Sequence, residues 1–201
     1  VAEAVAALEL RFVVITSVTR DDLPDGGAGA FAKTIGAIRR GVPAARVEVL
    51  VPDFGGADAS VRTVVEAGPH VLNHNLETVC RLYPRVRPGA RYERSLTLLR
   101  RARELDRGLP TKSGLRLGLG ESPEEVRQAL RDLVKAGCRM LTLGQYLQPS
   151  KGHLPVERFI TPEEFEAWRQ EALGMGLSEV ASGPFVRSSY HAQEMYHGCG
   201  A

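Results

Sequence analysis

Five times along this chain a short run of β-branched and aliphatic residues gives way to a polar turn and then to a helix-length amphipathic stretch, a pattern that few folds accommodate. The runs are 12–16, 46–51, 70–73, 113–119 and 140–143, with a sixth at 179–181. The helical stretches between them are 28–40, 59–67, 92–106, 123–136 and 162–173, and residues 1–8 read as the later turns of a further helix. Two helix starts are marked strongly. Ser122-Pro123-Glu124-Glu125 and Thr161-Pro162-Glu163-Glu164 each place a hydroxyl at the N-cap, Pro at the first helical position and Glu at the third. Such alternation predicts an α/β protein with a parallel sheet and crossover helices, either open and doubly wound or curved into a partial, TIM-like (β/α) barrel. The polar residues favour the barrel, because nearly every strand is followed at once by hydroxyl, amide, carboxylate or glycine, and barrels build sites at strand C-terminal ends. Open α/β sheets also place their crevices there.

The chain reads as a core over residues 1–192 and a loose polar tail over 193–201, without internal repeat or linker. Its 201 residues, 43% hydrophobic, suffice for a buried core and argue against disorder. Lys and Arg total 26 against 24 Asp and Glu, too even a balance for a nucleic-acid or anionic-membrane surface. No apolar run approaches the roughly 20 residues a membrane span needs. The chain opens without Met or a basic leader and reads as beginning within a domain. Cys80, Cys138 and Cys199 are odd in number and far apart, which suits a reducing compartment, so the expected location is the cytoplasm.

Five polar segments sit at strand ends. The first includes Thr16, Ser17, Thr19, Asp21 and Asp22 ahead of Gly26-Gly27; it suits a cationic or polar ligand head, or equally an Asx-rich loop that caps the next helix. In the second, Asn73, Asn75 and Glu77 offer donors and acceptors matched to a nucleoside, or a purely structural amide network; His74 reads as a satisfied interior histidine. The third runs from Lys112 to Glu121. Strand alternation puts Leu115, Leu117 and Leu119 on one face and Lys112, Gly114, Arg116, Gly118 and Gly120 on the other. Glycines at 118 and 120 leave room for a flat group such as adenine, or for close packing of protein. The fourth segment holds Gln145 and Gln148. The fifth, Arg187-Ser188-Ser189-Tyr190, either binds an anion or ties down the chain end.

In this order the five segments resemble the lipoyl synthase family of the radical S-adenosylmethionine superfamily. The likeness runs from about Phe12 to about His191 and is most specific in Val14–Leu23, Val71–Thr78, Thr111–Leu115, Leu143–Pro149 and Arg187–Tyr190. It implies a partial (β/α) barrel that inserts sulfur at C6 and C8 of an octanoyl group, forming the lipoyl cofactor. The substrate would be carried on a lysine of a lipoyl-carrier domain, either a lipoyl domain of a 2-oxoacid dehydrogenase or the glycine cleavage H protein. It further implies S-adenosylmethionine and two 4Fe–4S clusters. Carried over by position, Thr16 to Asp22, Asn73 to Glu77, Lys112, Gly118 to Glu121 and Arg187 would bind S-adenosylmethionine or substrate, with Gln145 and Gln148 nearby. Ser189 would ligate the auxiliary cluster, with Ser188 as the alternative.

Family members carry two cysteine triplets N-terminal to the matching region, and neither is present here. The three cysteines lack cluster spacing, so this chain alone is expected to hold no cluster, to contain no catalytic residue and to be inactive. Arg116 is a further departure, since an apolar residue is expected beside an adenine; Glu48 is the acidic partner that the sequence offers it. A noncatalytic remnant that binds S-adenosylmethionine or the octanoylated carrier is the alternative. An unrelated barrel lyase or aldolase would need a Schiff-base lysine or a metal triad at the strand ends; Lys112 is the one strand lysine, and the sequence offers no triad.

Overall fold

The computed structural model describes residues 1–200. Helix α1 (Ala2–Ala7) precedes β1 (Phe12–Thr16), α2 (Ala28–Gly41), β2 (Arg46–Leu50), α3 (Asp58–Glu66) and β3 (Val71–Asn73). Then come the short α4 (Tyr83–Val86), α5 (Tyr92–Leu105), β4 (Thr111–Leu117), α6 (Pro123–Lys135), β5 (Met140–Gln145), α7 (Pro162–Gly174), β6 (Glu179–Gly183) and α8 (Ala192–Gly198). The six strands are parallel and adjacent in chain order, and the sheet does not close: it is a partial barrel open between β1 and β6.

Each strand carries two faces into this curve. Val47 and Val49 of β2, Leu72 of β3, Leu115 and Leu117 of β4, and Leu141 and Leu143 of β5 are buried in one apolar cluster with Phe31, Ile35 and Ile38 of α2, Leu98 and Leu99 of α5, and Val126, Leu130 and Leu133 of α6. The other face holds the residues paired in register as Glu48 with Val71 and as Asn73 with Lys112 and Met140 in turn. Both sequence-marked helix starts form full capping boxes, Ser122 with Glu125 and Thr161 with Glu164, each worth about 1 kcal/mol.

Two differences from the sequence reading have physical reasons. Strand β4 is two residues earlier than expected, because Gly118 takes φ +99° and leaves the extended region directly after Leu117. The residues expected as a loose tail instead form α8, whose Met195 and Tyr196 pack with Cys199 against Val71, Met140, Phe12 and Ala181 on the inner face of the sheet. The contacts with Phe12, Val71 and Met140 join residues more than fifty positions apart, and local sequence carries no sign of them. No helix among the described residues is long and apolar enough to cross a membrane.

Candidate functional site

At the C-terminal ends of β1, β2 and β3 lies a cleft of about 650 Å³. Thr16, Ser17, Thr19 and Asp21 line one side. Asp53 and Gly55 from the turn after β2 line the floor with His74, Asn75 and Glu77 after β3, and Arg87 to Ala90 with Arg94 form the far rim.

His74 is fixed rather than reactive. Its Nδ1 lies 2.8 Å from the Val51 carbonyl oxygen and its Nε2 2.9 Å from Ser95 Oγ, and burial depresses its pKa, so the ring stays neutral. Tyr83 donates to Leu76 O at 2.7 Å and its oxygen lies 3.3 Å from Ser95 Oγ, and Arg87 donates to Tyr83 Oη and to the Asn75 carbonyl. This chain of bonds ties the rim to the floor. Arg94 is paired with Asp53 at 2.7 Å, whereas no carboxylate of the described residues pairs with Arg87.

Beneath the floor is a buried charge pair. Lys112 Nζ lies 3.2 Å from Glu48 Oε1, and Asn73 Nδ2 donates to the same carboxylate at 2.8 Å, all three side chains being inaccessible to solvent. Burial raises the Glu48 pKa against the opposing pull of Lys112, and burial lowers that of Lys112. Glu48 is thus the partner of Lys112 and not of Arg116, contrary to the sequence expectation. Arg116 instead pairs with Glu77 at 2.8 Å, because the strand direction sends its side chain toward the β3 end.

Of the residues singled out from sequence, Thr16, Ser17, Thr19, Asp21, Asn75 and Glu77 meet at the cleft. Asn73 and Lys112 support it from below. Asp22 turns outward to Arg20, at 2.6 Å. Gly118, Gly120, Glu121 and Gln145 gather in a separate knot: Glu121 accepts from the amides of Gly118 and Leu119, and Gln145 donates to Arg158 O and accepts from Ile160 N. The room expected at Gly118 is filled, since a β-carbon there would stand 2.3 Å from the Arg158 carbonyl oxygen. Gln148 is exposed and donates to His153 O. Arg187 and Ser188 line a small second hollow that also touches Asn75 and Glu77. Ser189 faces a third, beside Phe12, Val14 and His197.

Asp53, Arg87 and Arg94 were not anticipated. Asp53 had a usable signal, its place just past a strand end. Arg87 and Arg94 did not, because their positions depend on how residues 80–91 fold back over β3.

Residues 1–133 match the family model described as the Radical SAM superfamily. A protein named lipoyl synthase from Syntrophotalea carbinolica is 59% identical over 192 residues, spanning 95% of this chain and 62% of that protein. One of the same name from Rubrobacter xylanophilus is 57% identical, spanning 96% and 60%. Another from Geotalea daltonii is 54% identical, spanning 100% and 68%. The chain therefore spans 60–62% of the length of the first two relatives. Among solved structures, methylornithine synthase (PylB) superposes with a TM-score of 0.67 over 90% of this chain and 60% of that one; at 16% identity the likeness is one of fold.

Proposed function

We infer that this chain, which belongs to the lipoyl synthase family of the radical SAM superfamily, forms the binding wall for S-adenosylmethionine and an octanoylated lysine in the reaction that inserts sulfur at C6 and C8 of the octanoyl group. The cleft at the ends of β1 to β3 carries this reading. S-adenosylmethionine presents an ammonium, a carboxylate, a ribose diol and an adenine edge, so its pocket needs carboxylates, a spare cation and neutral acceptors together. Asp21, Arg87 without a carboxylate partner, and the hydroxyls of Thr16, Ser17 and Thr19 supply that set, with the Glu77 carboxylate beside them.

Bound S-adenosylmethionine supplies, in this superfamily, the adenosyl radical that removes hydrogen from unactivated carbon. The part assigned to this chain is to bind, orient and exclude water. Asp22, Gln148 and the Gly118–Glu121 knot with Gln145 act from beside the cleft, and Asn73 and Lys112 from beneath it. The cysteines present do not fit a 4Fe–4S cluster. Cys80 precedes α4, Cys138 lies buried between α6 and β5 with its thiol pushed up to about 12, and Cys199 follows α8. No three potential ligands among His, Cys, Asp and Glu gather among the described residues. No redox or sulfur-donor step is therefore assigned to these residues. Ser189, with Ser188 as alternative, is the proposed oxygen donor toward an auxiliary cluster whose other ligands lie outside this chain.

The scattered cysteines also favour a second reading, a cluster-free protein that binds S-adenosylmethionine or the octanoylated carrier without catalysis. On the first reading the partner is an octanoylated lipoyl-carrier domain, met in the cytoplasm. Titration with S-adenosylmethionine tests the binding role. Arg87→Met is expected to weaken binding about tenfold or more, the effect of removing a charge-assisted hydrogen bond. Unchanged affinity in that variant would remove Arg87 from the site.

A further inference from the structure

We propose that the small hollow beside the main cleft is a carboxamide subsite; this rests on the octanoyl-lysine reading and names the part of that substrate which is recognised there. The hollow is about 40 Å³, room for a group of a few heavy atoms, and is lined by Asn75, Arg116, Thr142, Gly144, Arg187 and Ser188 among others.

Two unmet hydrogen-bonding capacities line it together. Asn75 Oδ1 is buried and accepts no bond. The amide cannot simply be turned over, because Asn75 Nδ2 donates to Glu77 Oε1 at 3.0 Å. Glu77 in turn takes Arg116 Nε at 2.8 Å on its other oxygen, so the carboxylate that holds Asn75 is itself held. The backbone is bent to the same end: Glu77 is held at φ +68°, a strained region for a residue with a side chain. Gly114 completes the arrangement. A β-carbon there would stand 2.9 Å from Asn75 Oδ1 and 2.8 Å from Thr142 Oγ1, so only glycine lets the Asn75 carbonyl settle over β4.

Arg187 contributes the opposite capacity. It donates to Val186 O at 2.7 Å, pairs with no carboxylate among the described residues, and keeps further N–H groups to offer. An acceptor lacking a donor and donors lacking an acceptor are both satisfied by one group that carries N–H and C=O side by side. A carboxylate would accept from Arg187 but leave Asn75 Oδ1 unmet, and an ammonium would donate to Asn75 but face Arg187 as a like charge. A secondary amide meets both, its N–H donating to Asn75 and its carbonyl accepting from Arg187. The bond joining an octanoyl group to lysine is such an amide.

The test compares a peptide carrying N-octanoyl-lysine with its ester analogue, in which oxygen replaces the amide N–H. The wild-type chain is expected to bind the amide about tenfold more tightly, since the ester leaves a buried acceptor unmet. Asn75→Ala, checked for folding by its thermal transition, is expected to bring that ratio to about one, whereas Arg187→Gln weakens both peptides alike. Equal affinities in the wild type would mean that the hollow holds only water and would overturn the subsite, as would a ratio that survives Asn75→Ala. Binding of S-adenosylmethionine with neither peptide bound also overturns the subsite while leaving the main cleft standing. Loss of all three would defeat the octanoyl-lysine reading itself.

Discussion

Lys112→Met is expected to destabilise the protein by about 3–5 kcal/mol, because it leaves the Glu48 carboxylate buried without its counter-charge. For a chain of this length such a loss lowers Tm on the order of 10 °C. Both side chains are inaccessible to solvent, so water cannot take over the role of the lost ammonium. Asn73 alone remains to donate to the carboxylate. The deficit should depend on pH with a definite sign. Burial raises the Glu48 pKa and Lys112 opposes the shift, so without Lys112 the folded-state pKa climbs further above its unfolded value. The folded variant then holds a proton that the unfolded chain has released. Its stability therefore falls as pH rises above the ordinary carboxylate range and recovers on acidification. Glu48→Gln combined with Lys112→Met should regain most of the loss, since no uncompensated charge stays buried. Urea unfolding of the single and double variants at two pH values measures all of this. A single variant within about 1 kcal/mol of wild type would show the pair to be solvated.

Gly118→Ala is the second large effect, expected at roughly 2–4 kcal/mol. The residue sits at φ +99°, and an added β-carbon would stand 2.3 Å from the Arg158 carbonyl oxygen and 2.4 Å from Gln145 Nε2. A backbone carbonyl cannot yield as a flexible side chain does, so the segment 157–160 must shift. Its bonds to Gln145 and to the Gly118 carbonyl would be lost with it. This outcome separates two roles for the glycine. If Gly118 made room for an adenine, alanine would abolish ligand binding and lower the unfolding midpoint only by the cost of holding a side chain at positive φ, on the order of 1 kcal/mol. Here the midpoint in urea is expected to fall, with the slope of the transition preserved.

The framework of the fold was legible because it is written locally. The Ser122 and Thr161 boxes mark helix starts within four residues, and β-branched runs mark strands whose alternation must match a two-faced sheet. The strand-end segments after β1 and β3 were legible for the same reason, since polar residues just past a parallel strand have one place to go. What was not legible depends on distance along the chain. Glu48 and Lys112 are 64 positions apart, and only the register of β2, β3 and β4 brings them together, so the sequence offered Glu48 to Arg116 instead. Helix α8 fails locally on its polar composition, yet Met195 and Tyr196 find an apolar floor made by β1, β3, β5 and β6. Gly118 and Gly120 showed that space was needed without showing what fills it; at Gly118 the filler is a stretch of main chain forty residues on.

Binding of S-adenosylmethionine in the cleft at the ends of β1 to β3 is tested most directly by amide hydrogen exchange with and without that molecule. Protection is expected over residues 16–21, 73–77 and 87–90, with the knot at 118–121 and helix α8 unchanged. No change at saturating concentration, or protection confined to the hollow beside Ser189 and α8, would contradict it.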